Sequence, residues 1–583
     1  MFQNYESQST KHHYFKTNGL KCLLFIQHSA KFNQMKNLAG RLILLILFNG
    51  YFQTLIFAQE IKLDSSNLPI VVIETGAQSI PNSPKITASM GIIFNGSGKR
   101  NNRTDPFNHF NGTIGVELRG QSSQALFPMK SYDIELRTST GAELNQPLLG
   151  MPAESDWVLY APYTDKTLMR NFLAYTLTQQ MGRWASRIRY VELIVDNDYK
   201  GIYLLTEKIQ RGADRVNISR LQQTDNTGIA LTGGYIFSLD KQPNGWFSKF
   251  TAPNATSNPY RQFSYVYPKS DIITAQQKNY IKNFVDEFET TLAGPDFQHP
   301  TKGVRKTADL PSFADYFIMN ELSRNVDGYR LSSYFHKNKM SVNDRIVAGP
   351  VWDYDLAFRN ANYCNGSDVG GWAFRFNYVC PGDGAGLVPF WWERLLMDTA
   401  YSASLRCRWE DLRNNVLSEK NINHLIDSIA TLTGEARSRH FKKWPILGQY
   451  VWPNPNPIPV SYEDEIASLK SWLRSRADWI DQNLEDKGAC GINQNPNVEN
   501  LTYKFFPNPF DIRGYLQFQS VETGIIMVQV KDMLGRTLMK KQFSVFPGNN
   551  KIELDTQLFH KGMYHVVITD IQNNVTRIRI LKQ

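Results

Sequence analysis

"GPVWDYDLAFRN", Gly349–Asn360, places two aspartates, Asp353 and Asp355, inside an otherwise apolar run. Val351, Trp352, Leu356 and Phe358 call for burial, and ionised carboxylates resist it unless a partner compensates their charge. Upstream lies "NVDGYRLSSYFHKNKMSVNDRIVA". "RLSSYFHK" and "RIVAGPVW" have strand character, and "NKMSVND" between them is a turn. A hairpin folded near Ser341 brings its open ends together, with Asp327 before the first strand and Asp353 after the second. If Asp353–Asp355 is still extended, both carboxylates share one face, about 7 Å apart by strand rise. Three converging carboxylates repel one another unless a cation is present. Mg²⁺ takes one or two carboxylates and completes its shell with phosphate and water. The competing structural reading is that Asp353 caps a turn and Asp355 pairs with an arginine such as Arg359.

A second constellation is "LRGQSSQALFPMKSYDIEL". Gly120, Ser122 and Ser123 form a turn of backbone N–H groups and hydroxyls, followed by Lys130 entering a strand. A loop donating to phosphates beside a strand-borne lysine is an arrangement that serves ATP. Glu207 in "LLTEKI" is the expected ion-pair partner of Lys130, or else an exposed charge beside Lys208. "NGSGKR" (Asn95–Arg100) lacks the residues of a Walker loop and reads as a surface turn. No GxSxG, CxxC or HExxH occurs, which disfavours a serine hydrolase of the elbow type and a zinc site.

The chain has 583 residues, enough for at least two folded bodies. Its formal charge is +10, but half of that comes from the first 58 residues. The remainder carries no basic run, so no nucleic-acid partner is expected. "LILLILFNGYFQTLIFA" (Leu42–Ala58) is short for a membrane span and follows Lys36 and Arg41. With Met35 as its start, it has the three regions of a signal peptide. Residues 1–34 are then an upstream extension or mis-start, residues 35–58 the signal peptide, and the mature chain keeps no transmembrane helix. Of five cysteines, Cys364, Cys380, Cys407 and Cys490 lie in the exported part. Cys364 with Cys380 is the favoured local disulfide among three connectivities.

Short strands dominate from Leu68 to Glu207. The helical patterns later include "LPSFADYFIMNELSRN" and "EDEIASLKSWLRSRADWIDQNL". The expected class is therefore α+β, with a body of two unequal lobes. A linker rich in Asn, Gly and Pro covers 488–500, between a body at 60–487 and a strand-rich region at 501–583. That last region reads as a small sandwich of about seven strands.

Five motifs in order, from "LRGQSSQALFPMKSYDIEL" through "DWVLYAPYTDKTLMRNFLAYTL", "VELIVDNDYKGIYLLTEKI" and "NELSRNVDGYRLSSYFHK" to "GPVWDYDLAF", resemble the CotH (spore coat protein H) family. The resemblance covers Leu68–Leu484. It implies a divergent two-lobed kinase-like fold that binds ATP with Mg²⁺ (or Mn²⁺) and phosphorylates serine or threonine of a protein substrate it does not identify. It assigns phosphate contact to Lys130 and the Gly120–Ser123 turn, the catalytic-loop role to Asp327, and metal binding to Asp353 with Asp355. The family's asparagine after the catalytic aspartate is missing, with Ser332 or Ser333 in its place. The C-terminal "FFPNPF…VKDMLGRTL…GMYHVVITD…RIRILKQ" resembles the type A sorting domain of type IX secretion, an Ig-like sandwich. That resemblance implies the type IX machinery as a partner, and a secreted or outer-membrane surface location. Because ATP is scarce outside cells, two rivals stand beside the kinase: a non-catalytic surface adhesin, and a carboxylate enzyme acting on glycans.

Overall fold

The computed structural model describes residues 61–484, except 242–243, 257–259 and 384–385, together with residue 490 and, with short gaps, 503–582. The expected extension, signal peptide and most of the linker lie outside the described residues. The chain divides into two compact units, 1–485 and 486–583.

Seven strands open the first unit: β1 (Ile70–Glu74), β2 (Ile86–Ile93), β3 (Phe110–Arg119), β4 (Ser131–Arg137), β5 (Asp156–Tyr160), β6 (Ile188–Val195) and β7 (Asp198–Glu207). They close into a barrel in the order β6-β7-β5-β4-β3-β2-β1, with β1 and β6 parallel and every other pair antiparallel. Helices and sheets are mixed in this unit, as expected, and its opening strands form a seven-stranded barrel. Closure has a local cause in the apolar run of β1. Val71 and Ile73 enter the barrel core, while Ile70 and Val72 enter a separate cluster with Ile194 and Tyr199. A strand buried on both faces reads as a continuous apolar run, and it supplies the seam that a half-exposed strand could not. In β4 the alternation of Tyr132, Ile134 and Leu136 turns those three into the core, as the period of two requires. The β6–β7 hairpin turns through Asp196 and Asn197 at φ 48° and 62°, the pair of left-handed residues of a type I′ turn.

After the barrel, β8 (Tyr235–Leu239), β9 (Phe247–Thr251), β10 (Tyr260–Tyr267), β11 (Ser333–Lys337) and β12 (Ile346–Ala348) form a sheet in the order β9-β10-β8-β11-β12. Around it stand α1 (Arg170–Gln180), α2 (Ala275–Ala293), α3 (Leu310–Ser323), α4 (Thr399–Asn414), α5 (Glu419–Lys443) and α6 (Tyr462–Asn483). The start of α3 is set by Asp309, whose carboxylate accepts from Ser312 N–H at 3.0 Å, with Pro311 in the first turn. In α6, Leu469, Trp472, Leu473 and Ile480 pack inward as their helical spacing requires. Among the described residues, no helix is long and apolar enough to cross a membrane.

A charged strut joins α3 to α6. Arg476 of α6, fully buried, meets Glu321 of α3 at 3.0 Å and donates to the carbonyls of Glu321, Val369 and Gly371, each at 2.7 Å. Glu321 also accepts from Ala373 N–H, Phe374 N–H and the Tyr329 hydroxyl. Removing one partner strands the other charge in the interior. Arg476→Ala is therefore expected to cost about 3 kcal/mol of stability, measured as a lowered urea midpoint at unchanged slope.

Cys364 and Cys380 are bonded, with Cα atoms 5.8 Å apart, and Cys407 and Cys490 are also in the disulfide state. Among its described residues the second unit contains seven antiparallel strands in two sheets. One holds Lys504–Phe506, Arg513–Ser520 and Gly548–Asp555; the other holds Thr537–Val545, Gly524–Asp532, Gly562–Thr569 and Val575–Lys582. Leu516 and Leu554 of the first sheet share a core with Val528, Val530, Val566 and Ile568 of the second, which makes the unit a sandwich.

Candidate active site

The hairpin of β11 and β12 has the register Phe335↔Ala348 and Lys337↔Ile346, which centres its turn beside Ser341. Asp327 before it and Asp353 after it both line one cavity of about 640 Å³. The Gly120–Ser123 turn, which follows β3, lines the same cavity, so the two constellations face one space. Such a volume is in the range of small-ligand pockets.

The stretch from Asp353 to Asp355 is not extended. Asp353 adopts φ 65°, and the chain turns there. The loop is held from α1 and α3. Asp353 N–H donates to the Tyr175 hydroxyl at 3.1 Å, and Tyr354 N–H donates to Asn171 Oδ1 at 2.6 Å. The Tyr354 hydroxyl donates to Asn320 Oδ1 at 3.0 Å. Asp165 accepts from the Arg170 backbone N–H and pairs with its guanidinium, which in turn donates to the carbonyls of Ala357 and Phe358. The motif "TDKTLMRNF" thus builds the seat for "VWDYDLAF".

The two carboxyls lie near enough for each to act on the other's proton affinity. Part of their surface opens to the cavity, yet protein atoms surround them. Burial, with Asp327 and Asp240 adding repulsion, pushes Asp353 up to about 6. Burial and the charge of Asp353 push Asp355 up as well. Arg359 donates to the Pro457 carbonyl and is not the partner of Asp355. Asp327 is fixed differently. Its N–H donates to Asn325 Oδ1 at 3.1 Å, and its Oδ1 accepts from Arg330 Nη2 at 2.8 Å. Gly328 follows because a Cβ there would meet Asn320 Oδ1 at 2.4 Å.

Gly120 has φ +100°, and a Cβ on it would lie 2.1 Å from Ser123 Oγ, so the turn requires glycine. Lys130 does not line the cavity. Its ammonium donates to the carbonyls of Gln124 and Phe127, holding the short helix Ser122–Leu126, which starts within the Gly120–Ser123 stretch. The expected Lys130–Glu207 pair is not made, because Glu207 is fully buried and pairs with Arg187 at 2.7 Å. Arg119 is the cation that the barrel contributes to the cavity, its guanidinium 5.4 Å from the Trp352 ring centre. Ser332 lines the cavity, while Ser333 is buried and donates to the Leu331 carbonyl.

Sequence reasoning missed Asp240, Arg330, Asp383 and Tyr363, all cavity residues. Asp240 ends the apolar strand β8, a position that could have flagged it. Five aspartates line the cavity against Arg119, Lys241 and Arg330. Arg330 is spent on Asp327 and Asp383, at 2.8 and 3.1 Å. The Asp353–Asp355 pair is therefore left short of positive charge. Hard oxygen donors in mutual repulsion beside open space fit a magnesium-sized cation. Among the described residues, no three acidic, histidine or cysteine side chains form a ready-made metal shell. A cation here would complete its coordination with substrate oxygens or water.

The family model described as CotH kinase protein matches residues 116–480. The model for the secretion system C-terminal sorting domain matches residues 504–582. No curated protein matches the chain.

Proposed function

The chain belongs to the CotH kinase family and carries a sorting domain that directs it through type IX secretion to the cell surface or extracellular space, and on that premise we propose that it is an exported kinase transferring the γ-phosphoryl group of ATP to a serine or threonine hydroxyl. The observation that carries this reading is that Asp353, Asp355, Asp327 and the Gly120–Ser123 stretch line one cavity. The two-lobed kinase-like organisation is part of the same proposal, with the barrel in the place of the phosphate-binding lobe.

The turn presents hydroxyls and N–H groups to the cavity, suited to phosphate oxygens. Asp353 and Asp355 would hold Mg²⁺, which supplies charge neutralisation of the phosphates when bound. Asp327, held by Arg330, would orient the acceptor hydroxyl and take its proton. The acceptor oxygen bonds to the γ-phosphorus as the bond to the ADP oxygen breaks.

Titration calorimetry of the exported chain with ATP is expected to show saturable binding in Mg²⁺ and at least about tenfold weaker binding in EDTA, since the phosphates would then face the acid pair uncompensated. Wild-type protein that binds no nucleotide at millimolar concentration with Mg²⁺ would leave the adhesin reading in its place.

A further inference from the structure

Tyr160, Tyr175, Tyr329, Tyr334, Tyr354 and Tyr363 stand close to the acid cluster, and the hydroxyls of three of these six have partners. Tyr175 receives the Asp353 N–H, Tyr354 donates to Asn320, and Tyr329 donates to Glu321. Among the described residues the hydroxyls of Tyr160, Tyr334 and Tyr363 make no hydrogen bond, and of the three Tyr363 is the one with Asp327 as its leading charged neighbour. The charges acting on the Tyr363 hydroxyl are, in order, those of Asp327, Arg330, Asp355 and Asp383. Tyr363 and those four charged residues line the same cavity.

The ring is held from its flanks. It stacks on Trp452 with ring centres 6.0 Å apart and planes 6° from parallel. Asn362, on one side, donates its N–H to the Pro453 carbonyl and its side-chain amide to the Tyr450 hydroxyl, both at 2.9 Å. Cys364, on the other, is bonded to Cys380, and Asp383 lies three residues beyond Cys380. The disulfide thus ties the segment bearing Tyr363 to the segment bearing the second carboxylate on Arg330. This much anchoring around an unbonded phenol suits a group kept ready for a ligand.

We propose that Tyr363 is a further residue of the active site, whose phenol donates a hydrogen bond to a phosphoryl oxygen of the substrate beside Asp327 and Asp355. The inference rests on the kinase reading above. A donor is what this part of the cavity lacks, because Arg330 is already engaged by two carboxylates. Burial pushes the phenol upward, so it stays a neutral donor at physiological pH. A neutral donor aimed at oxygens that gain charge during transfer acts mainly on the rate and little on ground-state affinity.

The test uses the full exported chain with Mg-ATP as the probe. Site-specific 3-fluorotyrosine at position 363 is expected to shift its ¹⁹F resonance on Mg-ATP addition, saturating with the affinity found by calorimetry. Tyr363→Phe is expected to lower phosphate release from Mg-ATP, with water standing in as acceptor, by at least about tenfold. Its Mg-ATP affinity should stay within about threefold, with an unchanged melting temperature, a split that a merely structural tyrosine would not produce. Wild-type protein that binds no Mg-ATP overturns the kinase reading, and this inference with it. Wild-type binding with an unmoved ¹⁹F signal overturns the Tyr363 inference alone. So does a Tyr363→Phe variant that turns over as wild type, or one that loses affinity and stability together.

Discussion

Asp353→Ala is expected to reduce Mg²⁺-dependent nucleotide affinity by at least about tenfold, to the level wild type shows in EDTA. The carboxyl sits between two demands. Burial beside Asp355, Asp327 and Asp240 makes its ionised form costly in the free protein. A divalent cation removes that cost and repels neither carboxylate. Deleting one member leaves Asp355 alone, with no adjacent carboxylate to share the metal. The variant should fold, because the loop is pinned through the Asp353 backbone: its N–H on Tyr175 and its carbonyl under Asn325 Nδ2 at 3.3 Å. Relief of the repulsion should even raise the melting temperature of the metal-free protein slightly. The measurements are calorimetric titrations with and without Mg²⁺ and a thermal melt. An Asp353→Ala protein that binds Mg-ATP as wild type does would remove the metal role from this pair.

What could be read before folding followed from local rules. The β11–β12 hairpin was legible because turn chemistry and strand pattern lie within twenty residues, and it carried Asp327 to Asp353. The Gly120–Ser123 turn was legible for the same reason. The Cys364–Cys380 bond was legible because a short loop is the easiest to close. What failed depended on distant partners. Lys130 looks like a ligand for phosphate in its own strand, yet it is taken by two carbonyls that only the helix Ser122–Leu126 can present. Glu207 prefers Arg187 because the β6–β7 pairing sets those two together at the barrel rim. The extended geometry of Asp353–Asp355 was wrong because an αL residue at 353 lets the Tyr354 ring turn inward to Asn320. Barrel closure was hidden as well: the parallel contact of β1 with β6 joins residues more than a hundred positions apart.

The sorting domain and the candidate cavity answer different questions. Export to the surface follows from the C-terminal sandwich and its match. It says nothing of nucleotide supply, so the cavity must be tested in the oxidised chain, with nucleotide provided.

Asp327→Ala separates catalysis from binding. Asp353 and Asp355 are carried by the loop after β12 and are seated by α1 and α3, whereas Asp327 belongs to the turn between α3 and β11 and is seated by Asn325 and Arg330. Removing its carboxylate leaves the seat of the metal pair intact and takes one repelling charge away from Asp353. Mg-ATP affinity should therefore stay the same or rise by a few-fold. Transfer should fall by about 10³-fold, the scale of losing a positioned base or hydroxyl-orienting group. Arg330 would lose one of its two carboxylates but keep Asp383, the Val326 and Gly386 carbonyls, and its place over the Phe376 ring at 4.0 Å. The turn should thus hold its shape, and a melting temperature near that of wild type would confirm it. Asp327→Asn is the sharper variant. It keeps a hydrogen-bonding oxygen for Arg330 but cannot take a proton, so it should match the alanine variant in rate if proton acceptance dominates, and exceed it if orientation does. Either aspartate variant transferring phosphate at the wild-type rate would move the catalytic role away from Asp327. Asp240, which follows β8 and lines the same cavity, would then be the carboxylate to examine next.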